Sequence, residues 1–153
     1  MEKLELKIPP LLLMLIFALV MYLIARVDFL YFSTGMIGKG VALILATIGI
    51  LFCGLGVAGF RKANTTVNPV HPETTSTLVQ SGIYGITRNP MYVGFAVLLM
   101  AWGVFLGSIP ALVFGFVFVP YMNRLQIKPE ERMLESLFGE EYLSYMNRVR
   151  RWI

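Results

Sequence analysis

The sequence predicts an all-α integral membrane protein: a helical bundle of about four transmembrane helices, the last two a tight hairpin, followed by a cytoplasmic amphipathic C-terminal helix. Three observations predict it. Hydrophobic residues make up 57% of the 153 and mean hydropathy is +0.71, more apolar than an ordinary soluble domain. The apolar residues gather into four stretches almost free of charge. The net charge of +4 is concentrated at the ends of those stretches, where lipid headgroups would meet it. A single membrane domain over residues 1–153 is the natural reading.

The first span, about residues 9–26, carries no charge before Arg26. It follows Lys3 and Lys7 as a signal peptide would but lacks a small-x-small cleavage site, which predicts an uncleaved anchor. The second, about 41–60, approaches the ~20 residues that cross a hydrocarbon core. Gly54-Leu55-Gly56-Val57-Ala58-Gly59 inside it matches G-x-G-x-x-G. A dinucleotide loop needs that motif between a strand and a helix, so close helix packing is the better explanation. The lone Cys53 in the same run reads as a small packing residue. The third and fourth spans, about 91–107 and 109–123, are separated only by Ser108, with Pro110 just beyond, and read as two helices joined by a tight turn. The tail, 124–153, holds a helix from Pro129 to Phe138 with Gly139 as its C-cap.

Orientation follows from the basic residues. Lys3, Lys7, Arg61, Lys62, Arg88, Arg124, Lys128, Arg132, Arg148, Arg150 and Arg151 fall on one side of a four-span arrangement, against Arg26 and Lys39 on the other. The positive-inside bias therefore places both termini in the cytoplasm, of the inner (plasma) membrane. The Asn64-Thr65-Thr66 triplet then faces the cytoplasm, so its glycosylation pattern is chance. Without aromatics interleaved among the cations, a nucleic-acid partner is not expected. His71 has no His or Cys partner at ligand spacing, so no metal site is expected either.

Chemistry is expected at the cytoplasmic end. The loop 61–90 is long and polar, the kind of segment that carries function in a small membrane protein. Asn89-Pro90 closes it as a helix start near Met91, with Asn89 accepting from early amides as N-cap and Pro90 at N1. Arg88 beside that positive helix end makes a seat for an anion such as an amino-acid carboxylate. A plain capped helix with an interfacial arginine is the alternative. In the tail helix, Met133, Leu134, Leu137 and Phe138 form the apolar face, and Glu130 projects onto it between Leu134 and Leu137. A carboxylate aimed at a core needs a cation or hydrogen-bond donors. Glu130 is either a functional group or one half of a salt bridge to Arg124 or Arg88 that fixes the tail.

Leu78-Val79-Gln80-Ser81-Gly82-Ile83-Tyr84, then Arg88-Asn89-Pro90-Met91-Tyr92-Val93-Gly94, then Glu130-Glu131 and Phe138-Gly139-Glu140-Glu141-Tyr142, resemble the isoprenylcysteine carboxyl methyltransferase family. Related phospholipid N-methyltransferases share the Asn-Pro-Met-Tyr form and the paired glutamates. The resemblance covers the second half of the chain. It implies S-adenosyl-L-methionine held at the cytoplasmic end of the bundle, open to the bilayer for a lipophilic acceptor. By position, the cofactor contacts implied are Leu78, Val79, Tyr84, Asn89, Pro90, Met91, Tyr92 and Glu130. The residues expected around the reaction are Arg88, Arg124, Gln126 and Glu130.

Three positions depart from the family. Asn89 stands where His usually precedes the Pro, and Ser76 where another His is usual. Gln126 stands where the carboxyl methyltransferases carry the Arg that meets the substrate carboxylate, and Gln cannot make Arg's charged two-pronged pair. Arg124, from a nearby turn, is the candidate substitute. The reaction expected is direct in-line displacement at the sulfonium methyl, with the protein aligning the reactants and excluding water. No general base is legible, and a carboxylate acceptor needs none, so carboxyl O-methylation is favoured. An amine N-methyltransferase and a non-enzymatic scaffold or small transporter are the alternatives.

Overall fold

With no water to satisfy backbone groups in a bilayer, an apolar run of this kind closes its hydrogen bonds within itself as a helix. The computed structural model, which describes residues 6–27, 30–32, 34–63 and 77–153, has that form. In chain order the helices are α1 (Pro10–Val27), α2 (Gly35–Lys62), α3 (Pro90–Leu106), α4 (Ile109–Phe116), α5 (Phe118–Met122), α6 (Lys128–Phe138) and α7 (Glu140–Arg148). A 3₁₀ turn at Gly82–Gly85 precedes α3, and a π-helical turn at Asn123–Ile127 joins α5 to α6. Among the described residues, α1 and α2 are long and apolar enough to cross a membrane, by length and composition. His71, Ser76 and the Asn64 triplet lie outside the described residues.

α2 and α3 lie against each other because glycines let their backbones approach. A Cβ at Gly94 would stand 2.7 Å from the Gly49 carbonyl oxygen and 2.4 Å from Cys53 Sγ, and one at Gly56 would stand 2.7 Å from Met91. The Gly54–Gly59 stretch is thus helix, with Gly56 and Gly59 at contacts, as expected of close packing and not of a nucleotide loop. Cys53 fills the seam, its Sγ 3.6 Å from the Met91 carbonyl.

α1 buries every fourth residue, Leu13, Phe17, Met21 and Ala25, and exposes Leu11, Leu15, Leu19 and Leu23. Phe17 stacks on Phe114 at 5.2 Å and meets Phe118 edge-on at 5.4 Å. Gly107, in the left-handed region at φ 66°, turns α3 into α4, and Ser108 caps α4 by accepting from the Ala111 amide. The expected hairpin is there.

The fourth stretch differs from the single helix expected over 109–123. It steps at Val117 and widens into the π turn before running on into α6 without a break. Two prolines account for this, since Pro120 and Pro129 have no N–H to continue the ladder. The Leu125 carbonyl, which Pro129 cannot meet, accepts from the Leu6 amide at 3.2 Å. Beyond Gly139, at φ 50°, α7 forms a further helix whose Tyr142 and Tyr145 bury against Leu78, Leu134 and Phe138.

Candidate functional site

The start of α3, the π turn and the start of α6 meet at one partly buried carboxylate. The Tyr92 hydroxyl donates to Glu130 Oε1 at 2.6 Å, and Gln126 Nε2 donates to the same oxygen at 2.5 Å. Tyr92 and Gln126 are buried, at 5% and 4% exposure. Gln126 and Glu130 stand four residues apart, one above the other on the same helical face, and the wide π turn sets that face toward Tyr92. Both donors converge on Oε1, leaving Oε2 without a hydrogen-bond partner among the described residues. Burial pushes the Glu130 carboxyl up to about 7, against the pull of the Tyr92 and Gln126 hydrogen bonds, with the neighbouring Glu131 charge adding to the push.

That shift carries a stability consequence with a definite sign. The folded protein binds this proton more tightly than a free carboxyl of ordinary value 4.5. Its stabilising contribution is complete below about 4.5 and is lost as pH rises to about 7. Melting temperature in detergent is therefore expected to fall across that window in the wild type, and the fall to be smaller in Glu130→Gln. Identical pH profiles for the two proteins would show that Glu130 does not titrate there.

Arg88 is the second feature. Its side chain is 10% exposed and its Nη2 lies 3.0 Å from Glu131 Oε1, but Nε and Nη1 are buried with no hydrogen-bond partner among the described residues. Leaving a buried donor unsatisfied costs ~1–3 kcal/mol, and more when it is charged. Glu131 is also gripped in two-pronged fashion by Arg151, at 2.9 and 2.6 Å. Glu131 therefore balances two cations, while the rest of the Arg88 fork is left for an acceptor that the described residues do not supply.

A strap at the carboxyl end holds this corner closed. The Arg88 amide donates to the Arg150 carbonyl, and Asn89 Nδ2 and Thr87 Oγ1 donate to the Arg151 carbonyl at 2.9 and 3.2 Å. Trp152 Nε1 donates to Asn123 Oδ1 at 2.9 Å. Upstream, Gln80 bridges Glu141 and Arg148 on α7.

Arg88, Asn89, Tyr92, Gln126 and Glu130 thus come together, all from the residues that the sequence singles out. Two expected side-chain pairings change, those of Asn89 and Glu130. Asn89 stands at the N-cap position but makes no side-chain cap, because its amide is engaged with the strap. Glu130 has neither Arg88 nor Arg124 as its partner; Glu131 takes Arg88 instead, and Arg124 is exposed on the π turn. Tyr84, 4% exposed, uses its hydroxyl on the Gly56 carbonyl at 3.3 Å and its ring on Phe60, which makes it the rivet between loop and α2. Val79 and Pro90 are buried, and Leu78 and Met91 partly so. Glu131 and Arg151 were not legible as site residues. Glu131 has a weak signal, being one helical step (~100°) from Glu130; Arg151 has none.

A family model described as phospholipid methyltransferase matches residues 37–141. An uncharacterized protein of Haemophilus influenzae is 41% identical over 63 residues, 41% of this chain and 100% of that protein. The probable protein-S-isoprenylcysteine O-methyltransferase of Oryza sativa subsp. indica is 29% identical over 110 residues, 71% of this chain and 57% of that protein. The protein-S-isoprenylcysteine O-methyltransferase of Schizosaccharomyces pombe is 36% identical over 73 residues, 47% of this chain and 30% of that protein. The chain thus spans between about a third and somewhat over half of these named methyltransferases.

Proposed function

The chain belongs to the phospholipid methyltransferase family, and on that premise we propose that it transfers a methyl group from S-adenosylmethionine to a lipophilic acceptor drawn from the bilayer, a carboxylate of isoprenylcysteine type being favoured. The observation that carries the reading is an incompletely satisfied guanidinium, Arg88, held on Glu131, together with the adjacent, partly buried Glu130 carboxylate, which has one open oxygen. The cofactor's amino-acid moiety has both complements. Arg88 Nε and Nη1 suit its carboxylate, and Glu130 Oε2 suits its ammonium or a ribose hydroxyl. A bound cation would keep Glu130 ionised despite its burial. When bound, the cofactor supplies an electrophilic methyl; everything else asked of the chain is positioning and exclusion of water. Tyr92 and Gln126 hold Glu130 in place, and the strap over residues 87–89 closes the corner.

Carboxyl methylation is favoured because the methyltransferase relatives are named for it and a carboxylate needs no base. One observation favours an amine acceptor instead: Gln126 is engaged with Glu130, and a carboxyl near 7 would accept an amine's proton. Lipid extracts after expression separate the two, base-labile methyl esters against methylated amino headgroups.

The membrane arrangement belongs to the same reading. Four spans, one domain and cytoplasmic termini in the inner membrane put Arg88 and Glu130 at the cytoplasmic end. Calorimetric titration of S-adenosylmethionine and its demethylated product into detergent-purified protein is the test. Saturable binding of both is expected, weakened at least tenfold in Arg88→Ala. A folded wild type that binds neither would leave the scaffold or transporter reading standing.

A further inference from the structure

At the end of α2 and α3 remote from Arg88 and Glu130, the two helices part. They touch most closely where Gly49 meets Gly94, and one turn further on, where Leu98 sits against Gly49, a groove opens between them. Two stripes at helical spacing face each other across it: Lys39, Ala42 and Ala46 on α2, and Leu98, Ala101 and Trp102 on α3. The alanines make the depression, since larger residues there would fill it. The space is about 490 Å³, and among the described residues its only charged lining residue is Lys39.

Lys39 stands at a defined depth. The uncharged stretch from Gly40 to Phe60 is about 31 Å long at ~1.5 Å per residue, close to the ~30 Å of a bilayer's hydrocarbon core. Arg61 and Lys62 therefore mark one interface and Lys39 the other. The groove begins at headgroup level under an exposed ammonium and runs into the hydrocarbon.

We propose that this groove binds one acyl chain of an anionic phospholipid from the leaflet opposite the candidate site, with Lys39 on the lipid phosphate. The inference needs α2 to span the membrane but not the chain to be a methyltransferase. An apolar slot with a single cation at its headgroup end has the amphiphile's own polarity. A second copy of the chain is the poorer occupant, because a twofold contact along this stripe would bring the two Lys39 ammoniums toward each other. The Trp102 indole, held by its Nε1 donating to the Ala18 carbonyl at 3.0 Å, fixes one wall.

Trp102 also reports on occupancy. The chain has two tryptophans, so Trp152→Phe leaves Trp102 as the sole emitter. That protein, in phosphatidylcholine vesicles, is titrated with phosphatidylglycerol or phosphatidylcholine brominated on the acyl chains. Brominated phosphatidylglycerol is expected to quench Trp102 at several-fold lower mole fraction than brominated phosphatidylcholine. Lys39→Gln should remove the difference, and Ala46→Phe should reduce quenching by both. Native mass spectrometry of wild type and Lys39→Gln gives the same comparison without the tryptophan change: phosphatidylglycerol is retained selectively by the wild type alone. Equal quenching and equal retention of the two lipids, or a disulfide-linked dimer through Leu43→Cys, a position that also lines the groove, would overturn the proposal.

Discussion

Glu130→Ala abolishes saturable binding of S-adenosylmethionine, by at least 100-fold, while the protein still purifies as a folded monodisperse species. The two halves of that expectation have separate causes. Binding is lost because a charged hydrogen-bond partner contributes about 1.5–3 kcal/mol, some 10- to 150-fold, and because Glu130 also anchors its neighbours. Without it, Tyr92 and Gln126, which both donate to Oε1, lose the acceptor that fixes them. Folding survives because the change also removes a desolvated carboxylate. Its raised pKa means that ionised Glu130 weakens the fold above neutral pH, offsetting the two hydrogen bonds lost. Glu130→Gln separates charge from shape: it keeps an oxygen for Tyr92 but offers no charge to a cation, and should bind with an intermediate affinity. Wild-type affinity in Glu130→Ala would remove this residue from the site and leave it a tail-fixing group.

Glu130 was legible because a carboxylate on an apolar helical face contradicts the local pattern, and such contradictions gather at functional sites. Its partners were legible only in part. Tyr92 and Gln126 fall within or beside recognisable segments, but nothing in the chain says that both would converge on one oxygen; that depends on the π turn, which follows from Pro129 and tertiary contact with Leu6. The strap was invisible. Arg150, Arg151 and Trp152 have no periodicity, so their pairing with Arg88, Thr87, Asn89, Glu131 and Asn123 is decided by topology. The hydrophobic runs located the helices well, since length and apolarity leave few other options in lipid. They said little about where the fourth run bends, because a proline's effect on a helix depends on whether its neighbours can take up the freed carbonyl.

Gly94→Ala is the substitution expected to damage the fold most for the smallest chemical change. One methyl at Gly94 meets Cys53 Sγ at 2.4 Å, the Gly49 carbonyl oxygen at 2.7 Å and the Cys53 amide nitrogen at 3.0 Å. A thiol can rotate away, but two backbone atoms cannot without α2 moving as a body. Overpacking of this kind typically costs ~1–3 kcal/mol. The upper end is expected here because the same interface carries Gly56 against Met91 and Gly59 against Tyr84, contacts that place the start of α3 and hence Tyr92. The melting temperature should fall by several degrees and S-adenosylmethionine affinity with it. Gly54→Ala, on a side of α2 with nothing within 4 Å among the described residues, is the control. There the added methyl should stabilise slightly, since Ala is favoured over Gly in a helix by ~1 kcal/mol. Cys53→Ala in the Gly94→Ala background should recover part of the loss but not all, because the Gly49 carbonyl remains in the way. Equal melting temperatures for Gly94→Ala and Gly54→Ala would mean that α2 and α3 do not approach as closely as the glycines permit, and the positioning of Tyr92 would need another cause.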